Sequence, residues 1–114
     1  MEKRILILVI AVSVLIILIL PILFYYLEEG KKKEKAINIC IETCRNELLK
    51  GRDLFDGPCL LNPIEELPEW VCDVVNEPRQ PIDDLKENQC SFYYERKAKH
   101  FVEVSTSCNL VRVV

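Results

Sequence analysis

The sequence predicts an α+β protein: an N-terminal transmembrane helix followed by a small disulfide-rich domain. Three observations carry that prediction. Ile5 to Leu27 is a run of 23 residues without a charge, interrupted only by Ser13 and Pro21. All six cysteines, Cys40, Cys44, Cys59, Cys72, Cys90 and Cys108, lie after that run. The rest of the chain has one amphipathic stretch, a series of proline-broken loops and two β-rich runs near its carboxyl end.

The apolar run comes first. At about 1.5 Å per residue it makes roughly 34 Å of helix, enough to cross a hydrocarbon core of about 30 Å with some tilt. A helix that is apolar on every side has no face to give to water. Residues 1–4 are then a short tail, 5–27 a transmembrane anchor, 28–36 a juxtamembrane linker and 37–114 the disulfide-rich domain. A cleaved signal peptide is the competing reading. Its apolar core runs about 7 to 15 residues and ends in small side chains, whereas this run leaves through Phe24-Tyr25-Tyr26. Tyr25 and Tyr26 suit the aromatic belt at a membrane interface, and Lys31, Lys32 and Lys33 suit contact with lipid headgroups. The segment reads as a signal anchor that is retained.

From Glu28 onward 35 of 87 residues are apolar, a thin core for a free-standing fold, and 13 basic residues face 17 acidic ones. An acidic domain lacks the basic face that nucleic acid requires. An even cysteine count in a short domain beside a secretion-competent segment reads as a disulfide framework, with 15 possible pairings left open. Bridges closing loops of 15 residues or more contribute on the order of 3 kcal/mol each, which offsets the thin core.

Orientation carries two opposed signals. Lys31, Lys32, Lys33 and Lys35 follow the anchor and only Lys3, Arg4 and the amino terminus precede it, which by the positive-inside rule puts the domain in the cytoplasm. The cysteines put it outside, because disulfides persist in oxidising compartments. The reading adopted is outside.

In chain order, Lys33 to Lys50 is predicted helical. Ile37, Cys40, Ile41, Cys44 and Leu48 form one buried stripe, and Gly51 is the expected stop. Cys40 and Cys44, one turn apart on that stripe, should reach cysteines elsewhere rather than each other. Gly51 to Arg79 reads as irregular, cut by Pro58, Pro63, Pro68 and Pro78, with Trp70 to Val75 as the one short strand. Trp70 is expected in the core rather than in a recognition site. A short helix is expected from Asp83 or Asp84 to Arg96, bringing Leu85, Cys90, Tyr93 and Tyr94 together. His100 to Val104 and Leu110 to Val114 read as a hairpin with Cys108 pinning its turn.

Candidate chemistry is sparse. Cys40-x₃-Cys44 has a spacing found in zinc sites, but the other gaps are long and His100 is the only histidine. Thiol exchange usually employs Cys-x-x-Cys at a helix start, and that motif does not occur. A cysteine–His100 nucleophile has no spare thiol in an even count, and His100 is expected in a strand facing solvent. Glu65-Glu66 and Asp83-Asp84 read as solvated carboxylates or, at Asp83 or Asp84, a helix cap. With Gly30, Gly51 and Gly57 the only glycines, there is no phosphate loop. No cofactor and no metal are expected.

The wording of Trp70-Val71-Cys72-Asp73-Val74, Arg79-Gln80-Pro81-Ile82-Asp83-Asp84-Leu85, Glu87-Asn88-Gln89-Cys90 and Lys99-His100-Phe101-Val102-Glu103-Val104 resembles small, membrane-anchored, cysteine-rich proteins of archaea. The resemblance covers the second half of the chain and implies no activity. The expectation is a non-catalytic structural or interaction module with the lipid bilayer and a protein or cell-envelope component as partners. The alternative is a cytosol-facing, zinc-binding accessory domain of a membrane complex.

Overall fold

The computed structural model describes all 114 residues and contains one long helix followed by a four-stranded sheet. Helix α1 spans Glu2–Leu49. The chain divides into two compact units, Met1–Lys32 and Lys33–Val114.

The first unit is helical throughout. Every large apolar side chain from Ile5 to Leu27 is exposed, the least of them at 49%. Its mean hydropathy and length are those of a membrane-crossing helix. Ser13 donates its hydroxyl to the Val9 carbonyl at 2.8 Å, which satisfies that hydroxyl within the helix. Pro21 lies inside the helix. The helix continues through residues 28–36 without a break; Lys31–Glu28 and Lys32–Glu29 pairs line that stretch at i,i+3 spacing.

In the second unit the carboxyl-terminal half of α1 packs on the sheet through Ala36, Cys40 and Cys44, with Ile37 and Ile41 partly buried beside them. Leu48, expected in the same stripe, is 40% exposed because the sheet does not reach the last turn of the helix. Gly51 takes φ +82° just past the helix end, a conformation that suits glycine because it has no Cβ. The sheet order is β1-β2-β3-β4, with β1 Cys59–Leu61, β2 Trp70–Val75, β3 His100–Ser105 and β4 Leu110–Val113. The expected hairpin is present: β3 and β4 pair antiparallel, and Cys108 sits in the turn at φ +66°. The central pair is β2 and β3, which run parallel from Trp70↔His100 to Val75↔Ser105. Strand β1, inside the stretch read as irregular, pairs antiparallel with β2.

Alternation along a strand sends successive side chains to opposite faces. Trp70, Cys72, Val74, Val102 and Val104 join α1, Leu54 and Ile64 in the larger core. Val71 and Phe101 join Cys90 and Ala98 in a second, smaller core. Both faces of β2 are therefore covered, and all six of its residues are buried.

The segment from β2 to β3 departs from the predicted helix. It makes two 3-10 turns, Pro81–Asp84 and Lys86–Asn88, and a single α-turn, α2, at Ser91–Tyr94. Leu85, Gln89 and Cys90 break it up, each with extended backbone at ψ +132°, +151° and +112°. Periodicity alone cannot foresee this, because Cys90 is held by a bond to a distant strand.

Candidate functional site

Every cysteine is in a disulfide: Cys40–Cys72, Cys44–Cys108 and Cys59–Cys90. The first two tie α1 to β2 and to the β3–β4 turn, so Cys40 and Cys44 bond cysteines elsewhere rather than each other, as their helical spacing implied. Neither carries the thiolate a metal would need. Their four cysteines are at most 1% exposed. The third bridge differs. It joins β1 to the residue before α2 on the other face of the sheet, and Cys59 is only partly buried.

Beside that bridge lies a cleft of about 150 Å³ lined by Val71, Asp73, Arg79, Gln89, Cys90, Tyr93, Tyr94, Phe101, Glu103 and Arg112. Its floor is a pair of carboxylates, because Asp73 of β2 and Glu103 of β3 are register partners on the same face. Neither carboxylate is more than 8% exposed, yet their surroundings differ sharply. Glu103 accepts from Arg79 at 3.3 Å and from Arg112 at 3.2 and 3.4 Å. The Arg112 guanidinium also lies over the Phe101 ring, 4.8 Å from its centroid, and Arg79 bonds Asp84 at 2.9 Å.

Asp73 receives no arginine, and its Oδ1 is buried without a hydrogen-bond partner. Burial, reinforced by the neighbouring Glu103 charge, pushes its carboxyl up to about 8; a backbone N–H at Val74 and the Arg79 charge pull weakly the other way. At neutral pH this side chain is largely the acid, a proton donor in a wall where its neighbour is a compensated anion. Its carboxyl and the sulfurs of Cys59 and Cys90 all lie within 4.8 Å of one another. Bonded to each other, those sulfurs present no thiolate, and the trio is not a ligand set in the oxidised chain.

Another buried carboxylate bears out the cap reading rather than the solvated one: Asp83 caps the start of the first 3-10 turn. Asp83 is 1% exposed rather than solvated. It accepts from Gln80 N at 2.7 Å and from Asn76 N and Nδ2 at 3.0 Å each, closing the first 3-10 turn onto the end of β2. Gly57, at φ +64°, makes room for it, since a Cβ there would come 2.3 Å from Asp83 Oδ1. Asp84, its neighbour, is exposed. Glu65 is also exposed, and Glu66 pairs with Lys35.

Trp70 is in the core as expected. His100 is half-buried instead of free in solvent: it stacks on Trp70 at 4.5 Å, and its Nδ1 lies 3.2 Å from the Val114 carbonyl. It sits on the α1 face, opposite the cleft. Asp73, Arg79, Glu103 and Arg112 were not singled out in the sequence. The signal was available for two of them, a lone carboxylate in Trp-Val-Cys-Asp-Val-Val and another in Phe-Val-Glu-Val. Such carboxylates inside apolar strands need partners or a proton.

Comparison with known protein families, curated proteins and solved structures finds no match to this chain. The three disulfides and the long apolar helix fit a small, disulfide-stabilised, membrane-anchored module.

Proposed function

We propose that this chain is a single-pass signal-anchored protein whose domain stands outside the cytoplasm and acts by binding a protein or envelope component. Tyr25, Tyr26 and Lys31 to Lys33 mark the bilayer interface in this reading. It groups the chain with the membrane-anchored, cysteine-rich archaeal proteins that its second half resembles. The observation that carries it is the pairing of all six cysteines in a unit that follows an exposed apolar helix; thiols in a reducing cytoplasm stay unpaired. The rim of the cleft supports a binding role. Tyr93, Tyr94, Arg79 and Arg112 are all partly exposed, and tyrosine and arginine are the residues that dominate contact energy at interfaces.

The test is labelling of intact cells with a membrane-impermeant maleimide, followed by crosslinking of the same cells. Labelling that appears only after reduction, without lysis, is the expected result. Labelling that needs lysis but no reductant overturns the placement. For the binding role, Tyr93→Ala with Tyr94→Ala should leave the melting temperature within a few degrees while abolishing the crosslinked species. A crosslink pattern identical to the native chain's overturns it.

A further inference from the structure

We propose that Cys59–Cys90 is a thiol–disulfide exchange site that oxidises a dithiol entering the cleft, with Asp73 as the proton donor to the departing sulfur. The proposal goes beyond the binding role and does not depend on the identity of the binding partner.

Three independent features point to it. The Cys59–Cys90 bridge is the one with a member, Cys90, in the wall of a cleft, and a volume of about 150 Å³ admits a cysteine side chain or a small thiol. The four cysteines of the other two bridges are at most 1% exposed and pack against α1, while Cys90 is 4% exposed and Cys59 only partly buried. Within 4.8 Å of both sulfurs sits a carboxyl group whose Oδ1 has no partner in the folded chain. Leaving a buried polar atom unpaired costs about 1–3 kcal/mol. A redox or catalytic role is one of the reasons such an atom is kept unpaired. The raised Asp73 carboxyl fits the role, holding its proton at neutral pH and titrating where thiols do.

The step balances without any further reagent. A thiolate of the incoming dithiol attacks Cys90 Sγ from the cleft. A new sulfur–sulfur bond forms to Cys90 as the Cys59–Cys90 bond breaks. The bonding pair leaves on Cys59 Sγ, which takes the proton of the Asp73 carboxyl. The second thiol of the dithiol then attacks its own bridged sulfur and expels Cys90 as a thiolate, which collects the proton that thiol gives up. The dithiol is oxidised to a disulfide by two electrons, and Cys59 and Cys90 are left as thiols. Cys90 Sγ lies 3.3 Å from the Cys72 carbonyl, so the reduced Cys90 has an acceptor in place.

The charged groups around Asp73 set the pH response. Glu103 of β3 is held by Arg79 and Arg112, Asp83 closes the turn after β2, and Tyr93 and Tyr94 of α2 line the same cleft. Once Asp73 ionises, it opposes the departing thiolate instead of protonating it.

The experiment treats the full chain in detergent with limiting dithiothreitol and maps each bridge by alkylation and mass spectrometry between pH 6 and pH 9.5. Cys59–Cys90 should open at least about tenfold faster than the other two bridges. Below pH 8 the native chain should outpace Asp73→Asn by about tenfold or more, and that advantage should vanish as pH rises past about 8. Three bridges opening together overturn the proposal, and so does an Asp73→Asn rate profile parallel to the native one. The bridge-by-bridge comparison within the native chain stands even if the variant does not fold.

Discussion

The two faces of one pair of strands make opposite use of the same backbone. On the α1 side, Cys72, Val74, Val102 and Val104 are dry and cross-linked, with both nearby disulfides out of reach of solvent. On the other side, one residue along, Val71, Asp73, Phe101 and Glu103 form half a core and half a charged floor, and the disulfide there lines a cleft. The period of two lets neighbours in sequence live in different solvents. The cross-links to α1 are concentrated on the first face and the polar chemistry on the second.

The sharpest break would be on the dry face. Cys44→Ala with Cys108→Ala opens a link across 64 residues and should cost about 4 kcal/mol by the chain-entropy relation, measured by denaturant unfolding in detergent. A change under 1 kcal/mol would mean that packing against α1, not the bridge, holds that face.

On the polar face, Gly57→Ala should cost about 2–4 kcal/mol in the same assay. It combines a left-handed backbone with displacement of Asp83 from its three donors. If Asp83→Asn already removes most of that cost, the clash is with the carboxylate rather than with the backbone.

Asp73→Asn separates the faces by pH. Because the folded carboxyl holds its proton up to about 8, while the unfolded one releases it near 4, the folded chain binds more protons in that window. The native chain's Asp73 contribution is full below about pH 4 and fades as pH rises through 8. The variant has no such term, so its stability relative to native should climb by up to about 1.4 kcal/mol per pH unit across the window and level off above it. Parallel stability curves would show that Asp73 is ionised in the fold.

The smallest expected effect is Gly51→Ala, at about 1 kcal/mol, since φ +82° is strained for alanine but the site is exposed and open. It should leave Cys59–Cys90 opening rates unchanged, because it touches the end of α1 and nothing near the cleft.

Local pattern alone determined much of this molecule. The uncharged run 5–27, the 3–4 stripe that buries Cys40 and Cys44, the strand at Trp70–Val75 and the hairpin pinned by Cys108 follow from periodicity, turn chemistry and cysteine count, because each rests on residues near one another in sequence. Only the tertiary structure decided that β2 and β3 lie parallel, that Cys59 meets Cys90, and that Asp73 stands beside Glu103 with both arginines given to the latter. Those outcomes join residues about 30 apart, and the chain between them carries no signal of where its ends will dock. Asp83 shows the same limit: its neighbour Asp84 has the same side chain, and only the closing turn on Asn76 makes one a buried acceptor and leaves the other in water.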